Sequence, residues 1–162
     1  GPSPDADAVF LPGGYPELHA STLAANSRFL SGLHDAVNRG ATIFGECGGY
    51  MVLGETLTDA QGSTHRMAGL LPVTTSFERP KLHLGYRDVQ LTEHGQAGPM
   101  AHCGTKFRGH EFHYASVVAS GSDKSLFDCR SARGEHLGLS GHVNGNVAGS
   151  FIHLIDAVDL TP

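Results

Sequence analysis

Two glycine-flanked turns and one histidine carry the groups in this sequence that could open an amide bond. The first turn, Gly45-Glu46-Cys47-Gly48-Gly49, closes the apolar run Ala41–Phe44 and opens the apolar pattern of GYMVLGE. One cysteine between glycines matches the G-x-nucleophile-x-G elbow, with sulfur in place of a serine oxygen. A nucleophile perched on a strained strand-to-helix turn needs neighbours with almost no side chain. At the start of the next helix, unpaired N–H groups and the dipole favour thiolate over thiol. The Gly48 N–H can point at a developing oxyanion, where one such donor is worth about 3 kcal/mol. A buried structural cysteine beside a glycine-rich turn fits the same five residues, because free cysteine is among the most buried residue types.

The second turn, LPGGYPE (Leu11–Glu17), also follows a short apolar run. In a parallel sheet, loops at the carboxyl ends of neighbouring strands converge on one crevice, so Gly13 and Gly14 can present a second oxyanion donor. Taken alone, the stretch also reads as an ordinary strand-to-helix turn. Eleven histidines compete to serve as the base. His19, His34, His65, His94 and His136 lie in polar or turn-like stretches and read as surface residues. His110 and His113 in RGHEFHY would supply two metal ligands with no evident third, or sit on an exposed strand end; no metal site is assigned. His153 closes the apolar run VAGSFIH, a strand-end position like that of Cys47. From there an imidazole can take the thiol proton and later protonate a leaving amine. A hydrogen-bonded strand-end histidine is the plainer alternative.

The elements that must position these groups are legible in outline. Ala8–Gly14 reads as a buried strand running into a turn, and Ala41–Gly45 as a second buried strand. Between them Phe29, Leu30, Leu33, Ala36 and Val37 recur at helical spacing, with Asn26 or Ser27 as N-cap and Gly40 at the helix end. This β-α-β-α order implies a parallel sheet with right-handed crossovers. Val73–Phe77, Tyr86–Thr92 and Phe112–Val118 read as half-exposed strands of an antiparallel extension, and Val147–Ile152 as a last apolar strand broken by His153.

With 162 residues, 22 glycines, 40% apolar and 17% charged residues, the chain reads as one globular α/β or α+β domain. A net charge of −5 and the absence of a basic run argue against nucleic acid or an anionic membrane as partner. No apolar run is long enough to span a bilayer. Three cysteines at irregular spacings form neither a disulfide framework nor a CxxC pair, which makes a reducing cytoplasm the expected location. The Pro/Asp-rich residues 1–7 read as a linker or a cloning remnant.

Taken together, FLPGGYPELHA, GECGGYMVLG, MAGLLP, HLGYR, RGHEFHY and GSFIH resemble the glutamine amidotransferase domain of cobyrinic acid and hydrogenobyrinic acid a,c-diamide synthases, from about Phe10 to about Ala157. GECGGYM by itself fits the related cobyric acid synthases as well. The resemblance implies a flavodoxin-like class I glutamine amidotransferase fold: a mostly parallel sheet with helices on both faces and an antiparallel extension. It implies Cys47 as the nucleophile that forms a γ-glutamyl thioester, His153 as its base, and the N–H groups of Gly14 and Gly48 as the oxyanion hole, with Gly13 as the alternative to Gly14. Tyr15, Glu17 and Tyr50 border the loops, either handling glutamine or packing and capping.

The resemblance also implies glutamine as substrate and a corrinoid acceptor in cobalamin biosynthesis, reached through an N-terminal synthetase domain that uses ATP and Mg. This domain itself would need no cofactor. Two departures stand out. Many class I amidotransferases carry H-x-E, whereas here His153-Leu154-Ile155 lacks the carboxylate that would orient the imidazole, a Cys–His dyad pattern known in the cobyrinate-type branch. No G-x-x-x-x-G-K-[ST] loop occurs either, and the first βα unit is not found, so the chain reads as a C-terminal portion of a longer enzyme. Two rivals remain: an amidotransferase domain of cobyric acid or nickel-sirohydrochlorin a,c-diamide synthesis, and a non-catalytic module that holds a tetrapyrrole or metal with RGHEFHY.

Overall fold

The computed structural model describes residues 1–101, 103, 105–121 and 124–158. The apolar run after the lead-in forms β1 (Ala8–Leu11). The Pro12-Gly13-Gly14 turn then delivers the chain to a 3₁₀ turn (Pro16–His19), where Pro16 occupies a first-turn position that needs no N–H. Helices α1 (Ala20–Ala25) and α2 (Ser27–Asn38) follow. The Asn26 side chain caps α2 by accepting the Phe29 N–H at 3.0 Å. Gly40, at φ 91°, ends it with a backbone that a side chain would strain. Residues 1–7 lie along that helix, with Gly1 and Pro2 so close to Gly32 that a Cβ there would meet each at 3.2 Å.

Next come β2 (Thr42–Glu46), α3 (Gly48–Leu53), β3 (Thr56–Thr58), β4 (Thr64–Arg66), β5 (Val73–Ser76) and β6 (His83–Leu91). After the short α4 (Glu93–Gln96), the rest is strand: β7 (Lys106–His113), β8 (Ser116–Ser120), β9 (Phe127–Ser131), β10 (His136–Ser140), β11 (His142–Asn144), β12 (Val147–Ser150) and β13 (Ile152–Ala157).

The strands form three sheets, ordered β1-β2-β12-β11, β10-β9-β6-β7-β13 and β4-β3-β5-β8. In the first, β1, β2 and β12 are parallel and β11 returns antiparallel. Alternation along these strands explains the layering. Ile43 of β2 and Val147 of β12 enter a core with Leu33 and Ala36 of α2 and with Tyr50, Met51 and Leu53 of α3. Their neighbours Phe44 and Ala148 face the other way, into a second core with Val89, Phe107, Phe127 and Ile152 of the antiparallel sheet. Each fully buried Leu, Ile or Val contributes roughly 1.5–3 kcal/mol. The α/β plan with its antiparallel extension is therefore as expected. The described helices α2 and α3 cover one face of the parallel sheet, while the five-stranded sheet takes the other face because Phe44 and Ala148 present an apolar surface to it. No described helix is long and apolar enough to cross a membrane.

Two expected strands are divided. Phe112–Val118 breaks at Tyr114–Ala115, where the His113 ring binds the Ala115 carbonyl through Nδ1 at 2.9 Å and the chain passes from β7 into another sheet as β8. Val147–Ile152 breaks at Phe151, where the Ser150 hydroxyl accepts the Ile152 N–H at 3.0 Å and turns a corner. His153 therefore lies near the start of β13 in the antiparallel sheet, not at the end of a parallel strand.

Candidate active site

Among the described residues, Cys47 is the only non-glycine with positive φ (52°, ψ −104°). The elbow is thus strained at its cysteine, as a nucleophile turn requires. Its glycines are sterically obligatory. A Cβ on Gly45 would meet the Leu53 side chain at 2.6 Å, one on Gly48 the Gly14 backbone nitrogen and oxygen at 2.7 Å, and one on Gly49 would overlap the Leu11 carbonyl. Hydrogen bonds lock the turn in place: Cys47 N–H donates to the Ser150 carbonyl at 2.8 Å and Gly49 N–H to the Pro12 carbonyl at 3.1 Å. The PGG turn after β1 and the elbow after β2 are therefore in direct backbone contact, as parallel neighbours should be. Gly14 N–H has no hydrogen-bond acceptor among the described residues.

The Ser150 corner swings β13 back over the end of β2. His153 Nδ1 lies 3.0 Å from Glu46 Oε1, and Glu46 Oε2 accepts the Leu154 N–H at 3.1 Å. A carboxylate only accepts hydrogen bonds, so Nδ1 carries a proton, and in the neutral imidazole Nε2 keeps its lone pair. The carboxylate absent from His153-Leu154-Ile155 is supplied instead by Glu46, the residue immediately before Cys47. Reading the sequence for a partner beside His153 misses it, since the two residues are 107 positions apart.

Cys47, His153, Gly13 and Gly14 line one cavity of about 400 Å³ together with Tyr15, Glu17, Met51, Phe77, Phe112, His113 and Tyr114. Gly13 lies beside both side chains: a Cβ there would meet His153 Cε1 at 2.7 Å and Cys47 Cβ at 3.7 Å. The Cys47 thiol donates to the Phe112 carbonyl, Sγ to oxygen 3.7 Å.

The expected resting thiolate is not found. Burial pushes the Cys47 thiol up to about 11; the Gly48 N–H pulls it down, and the Glu46 and Glu17 carboxylates push it further up. A six-residue α3 and its single N–H do not outweigh lost solvation. The sulfur is therefore held in its thiol form.

Tyr50 does not border the cavity. It is 1% exposed inside the first core, with its hydroxyl 2.5 Å from His142 Nδ1, while His142 Nε2 is 2.6 Å from the Ser120 hydroxyl. Its place one turn into α3 points it inward. His110 and His113 cannot act as a ligand pair, because strand alternation sends them to opposite faces of β7. His110 packs beside the exposed Tyr86, whereas His113 is buried and stacks on Phe151 at 3.7 Å between ring centres.

Among the described residues one group of metal-ligand types, His83, Glu111 and His113, comes together. Its imidazoles are stacked with planes 3° apart, so their lone pairs do not converge on one point. Glu111 is already bound by Arg87 at 2.8 Å and by His113 at 2.9 Å. Burial pushes the Glu111 carboxyl up, but these partners outweigh it and hold the carboxyl below the usual range. The group ties β6 to β7 through the Arg87–Glu111 pair and the His83–His113 stack.

Comparison with known proteins agrees with this architecture. The profile of the CobB/CobQ-like glutamine amidotransferase domain matches residues 2–159. Hydrogenobyrinate a,c-diamide synthase of a Sinorhizobium species is 55% identical over 157 residues, 96% of this chain and 35% of that protein. The enzyme of the same name from Mesorhizobium japonicum is 48% identical over 95% of this chain and 34% of its own length. This chain thus spans about a third of the curated relatives it matches. Among solved structures, PurLQS from Thermotoga maritima aligns with a TM-score of 0.60 at 20% identity, covering 92% of this chain and 69% of that one. A crystal structure of a glutamine amidotransferase aligns at 0.58 and 17%, covering 91% and 70%. At such identities the structural likeness carries the fold alone, a class I amidotransferase-like sheet. Since the family profile runs over nearly the whole sequence, the chain belongs to the CobB/CobQ-like glutamine amidotransferase domain family.

Proposed function

We propose that Cys47 and His153 hydrolyse glutamine, and that the ammonia serves ATP-dependent amidation of the a and c carboxylates of hydrogenobyrinic acid. The observation that supports the first half is the Glu46–His153 hydrogen bond, which fixes Nδ1 as a donor on an imidazole that lines the cavity holding Cys47. As the sulfur attacks the side-chain amide carbon, an S–C bond forms and His153 Nε2 takes the thiol proton. The oxyanion draws on the N–H groups of Gly48 and Gly14, whose backbones touch. The C–N bond then breaks and His153 returns its proton to the departing ammonia. Water, deprotonated by the same imidazole, attacks the thioester; the S–C bond breaks, the sulfur recovers that proton from His153, and glutamate leaves.

The acceptor half of the reading is supported by the name shared by the relatives. In it, a synthetase domain corresponding to the part of those relatives that this chain does not span uses ATP and Mg to activate the ring carboxylates. No residue here forms the phosphate loop for that step, and none of the chemistry above runs through it. The free thiols of Cys47, Cys103 and Cys129 support a cytoplasmic setting.

A diazo-ketone analogue of glutamine tests the site. Mass spectrometry should find Cys47 alkylated and Cys103 and Cys129 unmodified, and Cys47→Ala should release no ammonia from glutamine. Label spread over all three thiols, or ammonia release by Cys47→Ala, refutes the assignment.

A further inference from the structure

Glu17 is the only carboxylate among the residues that line the Cys47 cavity. Its Oε2 is closed off from solvent and has no hydrogen-bond partner among the described residues. The neighbouring acids differ. Both oxygens of Glu46 are engaged by His153 and Leu154, and Glu111 is engaged by Arg87 and His113. The Glu17 side chain is half-buried in the cavity wall, so a donor that pairs with this carboxylate must enter from the cavity. The walls around it are Tyr15, Met51, Phe77, Phe112 and Tyr114. Aromatic faces of this kind favour a cation, and their low polarity strengthens its attraction to a carboxylate.

We propose that Glu17 receives the α-ammonium of free glutamine while the side-chain amide of the same molecule faces Cys47. This rests on the glutaminase reading above and gives it a substrate class: the unmodified amino acid, in preference to a peptide-bound glutaminyl side chain or a chain lacking the amine. It also ties binding to activation. The Glu17 carboxylate helps hold the Cys47 thiol protonated, and an ammonium paired with it removes that push only when the right molecule is in place.

The test compares glutamine with 4-carbamoylbutanoate, which has the same carbon chain without the amine, in the wild-type chain and in Glu17→Gln. The expected result is a fall of about 100-fold in kcat/KM for glutamine, mostly through KM, against at most threefold for 4-carbamoylbutanoate, with Glu17→Asp regaining part of the loss. Substrate-free Glu17→Gln should also react faster with iodoacetamide at Cys47 at pH 8. Calorimetry on Cys47→Ala, with and without Glu17→Gln, reads glutamine affinity without turnover and should show the same 100-fold loss. Equal losses for both substrates, or none, overturn the role of Glu17 while hydrolysis by the wild type keeps the glutaminase reading. A wild-type chain that neither hydrolyses nor binds glutamine overturns both.

Discussion

Glu46 and His153 meet at the corner where the parallel sheet gives way to the antiparallel one, Oε1 to Nδ1 3.0 Å, while the second carboxylate oxygen takes the Leu154 N–H at 3.1 Å. One side chain thereby sets the tautomer of the imidazole and the position of the strand that carries it.

This double acceptance makes Glu46→Gln a sharp test. Two donors, His153 Nδ1–H and Leu154 N–H, need two acceptors, and an amide offers only one. Either the backbone N–H is orphaned or the imidazole is forced into the tautomer whose Nε2 can no longer accept a proton. Steady-state glutaminase assays should show kcat lowered about 10²- to 10⁴-fold with KM changed little. A variant within threefold of wild type would show that another group orients His153.

The protonated resting thiol has its own signature. With burial and two carboxylates holding Cys47 up at about 11, the thiolate fraction in glutamine-free protein should still be growing well above pH 9. Iodoacetamide alkylation of Cys47, followed by peptide mass spectrometry, should accelerate through pH 9 without levelling. A plateau reached by pH 8 would mean that the elbow stabilises the thiolate at rest after all.

Tyr50 and His142, both buried, and Ser120 at the surface form a hydrogen-bonded chain outside the cavity that holds Cys47. Tyr50→Phe should therefore cost about 1–3 kcal/mol in urea unfolding while leaving kcat within twofold. Burial also lowers the pKa of His142. The unfolded chain then binds this proton first, so the stabilisation is complete above about pH 6.5 and is lost as the pH falls. Unfolding midpoints at pH 7.5 and 5.5 should differ less in His142→Asn than in wild type. An equal difference in both would assign the acid sensitivity elsewhere.

Much of the site is legible in the sequence because its demands are local. The strain at Cys47 and the need for Gly45, Gly48 and Gly49 arise within one five-residue turn, so GECGG announces an elbow before any neighbour is known. The apolar runs of β1 and β2, the Asn26 cap and the Gly40 stop are likewise decided within a few residues.

Other features depended on groups far apart in the chain. Glu46 faces His153 only because alternation along β2 turns it away from the helical core and the Ser150 corner folds β13 across it. Tyr50 adjoins the elbow in sequence yet points inward, and the RGHEFHY histidines separate because β7 alternates between an exposed and a buried face. The state of the sulfur is likewise a tertiary quantity, since solvation lost to every surrounding layer outweighs the nearby N–H that the sequence displays. Residue types and short spacings thus determined which chemistry is available, through steric and conformational limits that act over one turn. Which carboxylate binds His153, which tyrosine is structural and where the thiol proton rests were decided by packing, because charge and hydrogen bonding act on whatever the fold brings within a few ångströms.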